Sequence, residues 1–390
     1  MNFKIKEKKY YENILKKNFN KFNKLDKNKN IVIFGAGTVG KYLIKSLKIN
    51  NFKIKNFADN NPKILSKKIE GIKVISYKEL KKNYSNEQII IASIIYEKEI
   101  LKQLKKDNIN NVFPLTYLNY LLPEVFDFRK YSKLFEAIFL PKNKNKIYSL
   151  YNLLDDNESK KIFTKIINFR LGNYFFVDLE SIKSTHEQYF DKSLIKISDK
   201  EMFVDGGGYI GDTIKPFVNV TKGNFLKICS FEPDRKNFRK LKTIVRKIDK
   251  NRIEIYPYGL YKKNGEVEFQ EQGNPESGIV KNNKFSSLSG SVFSEKLRNK
   301  KLQVVSIDSF FENKQPPTLI KMDIEGAEID ALNGARKIIS KYKPKLTICV
   351  YHNPDDLWEI PLLIKRLNPE YKIYLRHYSS ELCETVCYAI

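Results

Sequence analysis

A chain of 390 residues is too long for one compact hydrophobic core, so at least two domains are expected. With 42% hydrophobic and 13% aromatic residues it has material for real cores, which excludes an intrinsically disordered protein. The formal charge of +26, from 71 Lys+Arg against 45 Asp+Glu, favours anionic partners in principle; yet the lysines are scattered through a chain rich in Lys, Asn and Ile, so we read them as compositional, with an acidic small substrate as the residual inference.

The opening stretch, MNFKIKEKKY, is charged and no apolar run follows it. The longest apolar stretch, Ile89–Ile95, has the length of a strand and not of a membrane helix. No transmembrane segment and a soluble, cytoplasmic protein are expected. Cys229, Cys349, Cys383 and Cys387 form no C-x-x-C pair and read as reduced thiols.

Residues 1–29 are basic and polar and are expected to make one amphipathic helix. From Asn30 strands and helices alternate. IVIF (Ile31–Phe34) reads as a buried strand, Thr38–Asn50 has helical spacing at Val39, Tyr42, Leu43 and Leu47, and Phe52–Ala58 reads as a second strand. Further short strands at VIS, IIIAS and NVFPL complete a small parallel α/β domain over residues 30–118. Its FGAGTVG turn sets Gly35, Gly37 and Gly40 in G-x-G-x-x-G spacing between strand and helix, and Asp59 closes the second strand. Those glycines allow a tight turn, a close backbone approach to phosphate, and close helix–strand packing, while the acid suits ribose hydroxyls. A nucleotide or nucleotide-sugar is the functional reading; a degenerate domain that binds nothing wants the same glycines.

Residues 119–200 show helical spacing over Tyr131–Leu140, Ile147–Leu154 and Glu158–Arg170, and read as a helical connector. Residues 201–390 form a second α/β domain. Its first strand, Met202–Val204, runs into Asp205, Gly206, Gly207, Gly208, Tyr209, Ile210, Gly211, Asp212 and Thr213. Leu226–Phe231, the next strand, ends in Glu232. A glycine turn with an acid that can meet an ammonium, and a second acid placed for ribose, suit S-adenosyl-L-methionine better than a dinucleotide. Later strands run into Asp323 and Glu325, into His352, and into His377. Ligands of open α/β sheets sit beyond the carboxyl ends of the strands, so Asp205, Glu232, Asp323, His352 and His377 are expected on one face. The polar, turn-rich stretch Glu271–Leu297 reads equally as a substrate lid or a surface hairpin.

VDGGGYIGDT (204–213), FEPD (231–234), VVSIDSFF (304–311) and IKMDIEGAEIDALNGA (320–335), in that order, resemble the FkbM family of methyltransferases. VYHNPDDLWEIP (350–361), YKIYLRHYS (371–379), LLDDNESKKIFTKIINFR (153–170) and QYF (188–190) resemble one branch of it. The resemblance covers about residues 150–390, whereas the N-terminal domain resembles a nucleotide-sugar-binding domain only through its glycine loop and Asp59. It implies a class I enzyme methylating hydroxyl oxygens, with Asp205, Gly207, Gly211, Asp212 and Thr213 in the cofactor turn and Glu232 on the ribose. Gly206 and Gly208 replace a hydrophobic and a small residue, so a looser turn is expected. Tyr209 replaces the usual Asn and is expected to cover the methionine portion or narrow the substrate entrance.

The fold expected is α/β, with two Rossmann-like parallel-sheet domains joined by a helical connector, the C-terminal one a class I methyltransferase fold. Methyl transfer to a hydroxyl is an in-line displacement that needs a base or a metal. His352 is the candidate base, oriented by Asp323 or Asp355, with His377 and Arg376 holding the substrate. The competing expectation is a divalent cation on Asp323 and Glu325, or Glu325 as a helix cap instead. The expected function is O-methylation of a sugar, nucleotide-linked or within a surface polysaccharide precursor. An RNA methyltransferase and an NAD-dependent oxidoreductase using FGAGTVG are the alternatives; a nucleic-acid partner is disfavoured, and no oligomeric state follows from the sequence.

Overall fold

The computed structural model describes residues 25–93, 96–115, 117–118, 122, 124–126, 141–170, 178–249, 251–270, 278–279 and 299–390. Most of the expected N-terminal helix, the stretch Tyr131–Leu140, and all of Glu271–Leu297 except residues 278–279 lie outside the described residues. The chain divides into two compact units, Met1–Glu136 with Ile167–Val177, and Ala137–Ile166 with Asp178–Ile390.

In the first unit β1 (Asn30–Phe34), α1 (Thr38–Ile49), β2 (Lys53–Asp59), β3 (Lys68–Ile69) and β4 (Ile72–Ser76) follow one another. Then come α2 (Tyr77–Asn83), β5 (Gln88–Ile91), α3 (Glu97–Lys106) and β6 (Val112–Phe113). The strands lie in the order β3-β4-β2-β1-β5-β6, parallel except for the β3–β4 hairpin. Helices cover such a sheet, so its central strands are apolar along their length; Ile31, Val32 and Ile33 are fully buried. Strand order reverses at β1, which puts the Gly35 turn at the switch point of a Rossmann-like sheet.

The second unit holds α4 (Pro141–Leu153) and most of α5 (Asn157–Asn168), then β7 (Met202–Gly206), α6 (Ile214–Val220), β8 (Lys227–Phe231), α7 (Arg235–Ile248) and β9 (Ile253–Tyr256). A small second sheet follows, built from β10 (Gly259–Leu260), β11 (Gly265–Gln270), β12 (Gly278–Ile279) and β13 (Asn299–Val305), ordered β10-β13-β11-β12. The chain then passes through α8 (Ile307–Phe310), β14 (Leu319–Met322), α9 (Glu328–Asn333) and α10 (Arg336–Tyr342). It ends in β15 (Lys345–Cys349), α11 (Asp356–Leu367), β16 (Ile373–His377) and β17 (Thr385–Ala389).

The main sheet runs β16-β17-β15-β14-β7-β8-β9. Only β17 is antiparallel to its neighbours. Order reverses at β7, so the crevice at the carboxyl ends of β14, β7 and β8 is where this architecture places a ligand. Phe190, Phe203 and Phe217 are fully buried on one face of the sheet, with the last two rings stacked at 4.5 Å. Helix α5 is tied to the far edge: Leu375 N–H donates to Ser159 Oγ at 2.9 Å and Arg376 Nη2 to Asp156 Oδ2 at 2.8 Å. Among the described residues no helix is long and apolar enough to cross a membrane.

Candidate active site

The turn after β7 is possible only because side chains are missing from it. A Cβ on Gly207, whose φ is +78°, would lie 1.8 Å from Asp323 O, and one on Gly208 would lie 2.2 Å from Ser230 Oγ. One on Gly206 would lie 2.8 Å from Leu260 Cδ1. Contrary to the looser turn expected from sequence, the two extra glycines leave no open space: Ser230, Leu241 and Leu260 fill it. Gly211, at φ +84°, packs on Ile244 and Leu241 of α7, Thr213 is buried, and Asp212 is exposed. Tyr209 is half-buried with φ +42°.

Asp205 faces inward. It is fully buried, accepts from Ser230 Oγ at 2.8 Å and lies 3.2 Å from Lys321 Nζ. Lys321 also donates to Gly206 O and Gly207 O at 3.0 and 2.8 Å. The contact of Asp205 in this structure is thus with the floor of the turn, and the ammonium it meets is that of Lys321. Glu232 accepts from Tyr209 N–H at 2.7 Å and Asp234 N–H at 2.8 Å, which fixes the carboxylate at the mouth of the turn. Burial pushes its carboxyl up to about 8. In the first unit Asp59 stands in the same way, accepting from Ala36 N–H and Asn61 N–H, both at 2.8 Å. There Gly40 lets α1 close onto the turn, since a Cβ would meet Gly35 O at 2.1 Å, whereas Gly37 faces open space.

Beyond β14 and β15, Asp323, Glu325 and His352 bring donor atoms within 4.8 Å of one another. His352 Nε2 is 3.2 Å from Asp323 Oδ1 and 3.7 Å from Glu325 Oε1, and Nδ1 is 2.9 Å from Glu328 Oε1. Burial alone would lower the imidazole pKa, but the charges of Glu328, Asp323 and Glu325 raise it well above its usual value. Burial would likewise raise the Asp323 carboxyl; His352, Lys321 and the Tyr189 hydroxyl hold it well below the usual carboxylate range. Tyr189 Oη donates to Asp323 Oδ2 at 2.8 Å, and Tyr351 Oη lies 3.3 Å from Asp323 Oδ1 and 3.4 Å from Glu384 Oε1. Among the described residues, four of the ten non-glycine residues with positive φ, Tyr189, Tyr209, Glu325 and Glu384, belong to this site. Such conformations cost on the order of 1–3 kcal/mol each and cluster where function holds them.

His377 and Arg376 do not join this group. Strand β17 separates β16 from β15, which sets His377 two strand spacings, roughly 10 Å, to the side. Its Nδ1 is 2.8 Å from Thr385 Oγ1, and Arg376 is spent on Asp156, Glu158 and Ser159. In their place the site recruits Lys321, Glu328, Tyr189, Tyr351 and Glu384. Lys321 and Glu328 lie in the IKMDIEGAE segment, Tyr351 in VYHNPDD and Tyr189 in QYF, all of which stand out in the sequence, whereas Glu384 lies outside every such segment.

A seven-stranded sheet with this order, a glycine turn at its switch point and an acid closing the neighbouring strand define an S-adenosylmethionine-dependent methyltransferase. Residues 205–378 match the family model described as Methyltransferase FkbM domain, and the chain carries that domain. Residues 27–112 match another, described as C2185-like, N-terminal. The crystal structure of methyltransferase FkbM from Methylobacillus flagellatus KT is similar in fold, with 24% identity over 93% of this chain and 90% of that one and a TM-score of 0.69. UDP-D-quinovosamine 4-dehydrogenase from Vibrio fischeri is 24% identical over 24% of this chain and 84% of that one, with a TM-score of 0.21. Fibrillarin from Aeropyrum pernix, solved with natively bound S-adenosyl-L-methionine, is 11% identical over 51% of this chain and 71% of that one, with a TM-score of 0.30. No curated protein matches the chain.

Proposed function

We propose that this methyltransferase methylates a hydroxyl oxygen of a sugar, nucleotide-linked or within a surface glycan precursor. The observation that carries the reading is the polar group of Asp323, Glu325 and His352 beside the glycine turn, where an acceptor hydroxyl meets carboxylates and an imidazole. S-Adenosylmethionine supplies a methyl carbon on a positively charged sulfur. The backbone from Asp205 to Thr213 would cradle it, with Glu232 accepting from the ribose hydroxyls. The oxygen–methyl bond forms as the carbon–sulfur bond breaks, and the hydroxyl proton must leave. His352 is engaged by three carboxylates, which leaves the base role expected for it to another group. We assign it to Glu384, which shares the Tyr351 hydroxyl with Asp323 and whose carboxyl is raised by burial and by the charge of Asp323. A divalent cation on Asp323 and Glu325 would polarise the acceptor hydroxyl when bound. The Gly35–Gly40 turn and Asp59 of the first unit are proposed to hold a nucleotide.

The test separates binding from transfer. Glu232→Ala is expected to lose cofactor affinity by more than about tenfold, measured by calorimetry. Glu384→Gln is expected to keep that affinity and lose turnover by about a hundredfold. Mass spectrometry on a panel of nucleotide-sugars and glycans reports the acceptor; methylation confined to RNA would sink the sugar reading.

A further inference from the structure

We propose that Asp323, Glu325 and His352 form a divalent-cation centre in which His352 is a ligand through Nε2, and that Glu328 is the positioning residue that holds its ring. The inference deepens the methyl-transfer reading above and rests on it. His352 is only 4% exposed, yet neither ring nitrogen makes a hydrogen bond of good geometry. Nε2 instead faces two carboxylate oxygens at 3.2 and 3.7 Å. All three groups are lone-pair donors, so something electropositive belongs between them. A cation placed among them would be held by both oxygens and the nitrogen together.

The surrounding contacts fit that role. Glu328 is fully buried, its Oε1 is pinned by Ile324 N–H at 2.9 Å, and the same atom lies 2.9 Å from His352 Nδ1. A carboxylate on one ring nitrogen fixes the tautomer and aims the other nitrogen at a metal. Asp323 is steadied on its opposite oxygen by Tyr189. Asp323 and Glu328 form ion pairs with His352 alone among the described residues, although the chain has 71 Lys+Arg. Two carboxylates and one imidazole leave coordination positions open for water and an acceptor oxygen, and this mixed donor set suits a transition ion such as Mn²⁺ better than the oxygen-seeking Mg²⁺.

The chelator-treated full chain would be titrated with Mn²⁺ alone, free ion being read by electron paramagnetic resonance, and S-adenosylmethionine binding measured on the same samples by calorimetry. A single saturable site is expected. Glu328→Gln should weaken it about 10–100-fold, the usual loss when such a supporting carboxylate goes. Glu325→Gln should weaken it at least as much, and both variants should keep cofactor affinity. Should Glu328→Gln fail to fold, Glu325→Gln, whose side chain is 19% exposed, decides alone. Wild-type protein that binds the cofactor but no Mn²⁺, or Mn²⁺ binding unchanged in Glu325→Gln, overturns the centre and leaves the methyltransferase reading intact. Failure to bind the cofactor at all overturns both.

Discussion

Lys321 lies in a β-strand with its side chain 2% exposed, and although it falls in the IKMDIEGAE motif, a lysine in a lysine-rich chain does not by itself announce a buried role. Burial alone would lower its pKa, but Asp205, Asp323 and Asp212 hold it above the usual value. It neutralises Asp205 and gathers the carbonyls of Gly206 and Gly207, so it supports the turn that the sequence did reveal. Lys321→Met should cost about 3–5 kcal/mol, because Asp205 is left charged and buried. Adding Asp205→Asn should recover more than half of that in urea unfolding; no recovery would show that the pair is not what the turn rests on. Glu232, by contrast, is legible in sequence as the acid closing a strand, while its protonation is not. Burial raises it, against the N–H groups of Asp234 and Tyr209, and Asp234's charge adds to the rise while Lys321's opposes it. For an acid raised in the folded state, the stabilising contribution is full below the ordinary value of 4.5 and is lost as pH rises through about 8. On the proposed ribose contact the hydroxyls donate best to the charged form, so cofactor and proton would compete. Affinity for S-adenosylmethionine should therefore rise from pH 6 to 8, by up to about tenfold per unit; a flat calorimetric profile would remove Glu232 from the ribose.

Among the elements, strand–glycine–helix patterns are readable because they are local in sequence, and both glycine turns fall at strand-order reversals. Strand adjacency is not local. Reading carboxyl ends in chain order puts His352 and His377 together, and the insertion of antiparallel β17 parts them. The same limit hid Ser230 as the reason for Gly208, since the contact joins the turn after β7 to the neighbouring strand β8. The two turns should also differ in tolerance. Gly207→Ala combines a left-handed φ with a Cβ 1.8 Å from a backbone oxygen, so a loss of about 3 kcal/mol and of more than tenfold in cofactor affinity is expected. Gly37→Ala meets nothing within 4 Å and should stay within about 1 kcal/mol in the same unfolding measurement. Equal costs would mean that the crowding around Gly207 relaxes.

For the whole molecule, a charge of +26 suggests an acidic substrate, yet the site gathers Asp323, Glu325, Glu328 and Glu384, with His352 and Lys321 already engaged against carboxylates. A sum over the chain does not describe the field in one crevice. Domain extent shows a similar gap between composition and packing. The segment 119–200 looks like a connector because it is helical, but Ala137–Ile166 and Asp178 onward pack into the second unit. Asp156 and Ser159 hold Arg376 and Leu375, Phe190 sits 5.8 Å from Phe203 and 5.5 Å from Phe217, and Tyr189 braces Asp323. A chain starting at residue 137 should therefore melt cooperatively and bind S-adenosylmethionine. One starting at residue 201 loses a core phenylalanine, worth about 3–5 kcal/mol, and leaves Arg376 buried without its acids, about as much again. At 2–4 °C per kcal/mol for a domain of this size, its midpoint should fall by more than about 12 °C. Equal melting midpoints and cofactor affinities for the two fragments would return residues 137–200 to the status of a connector.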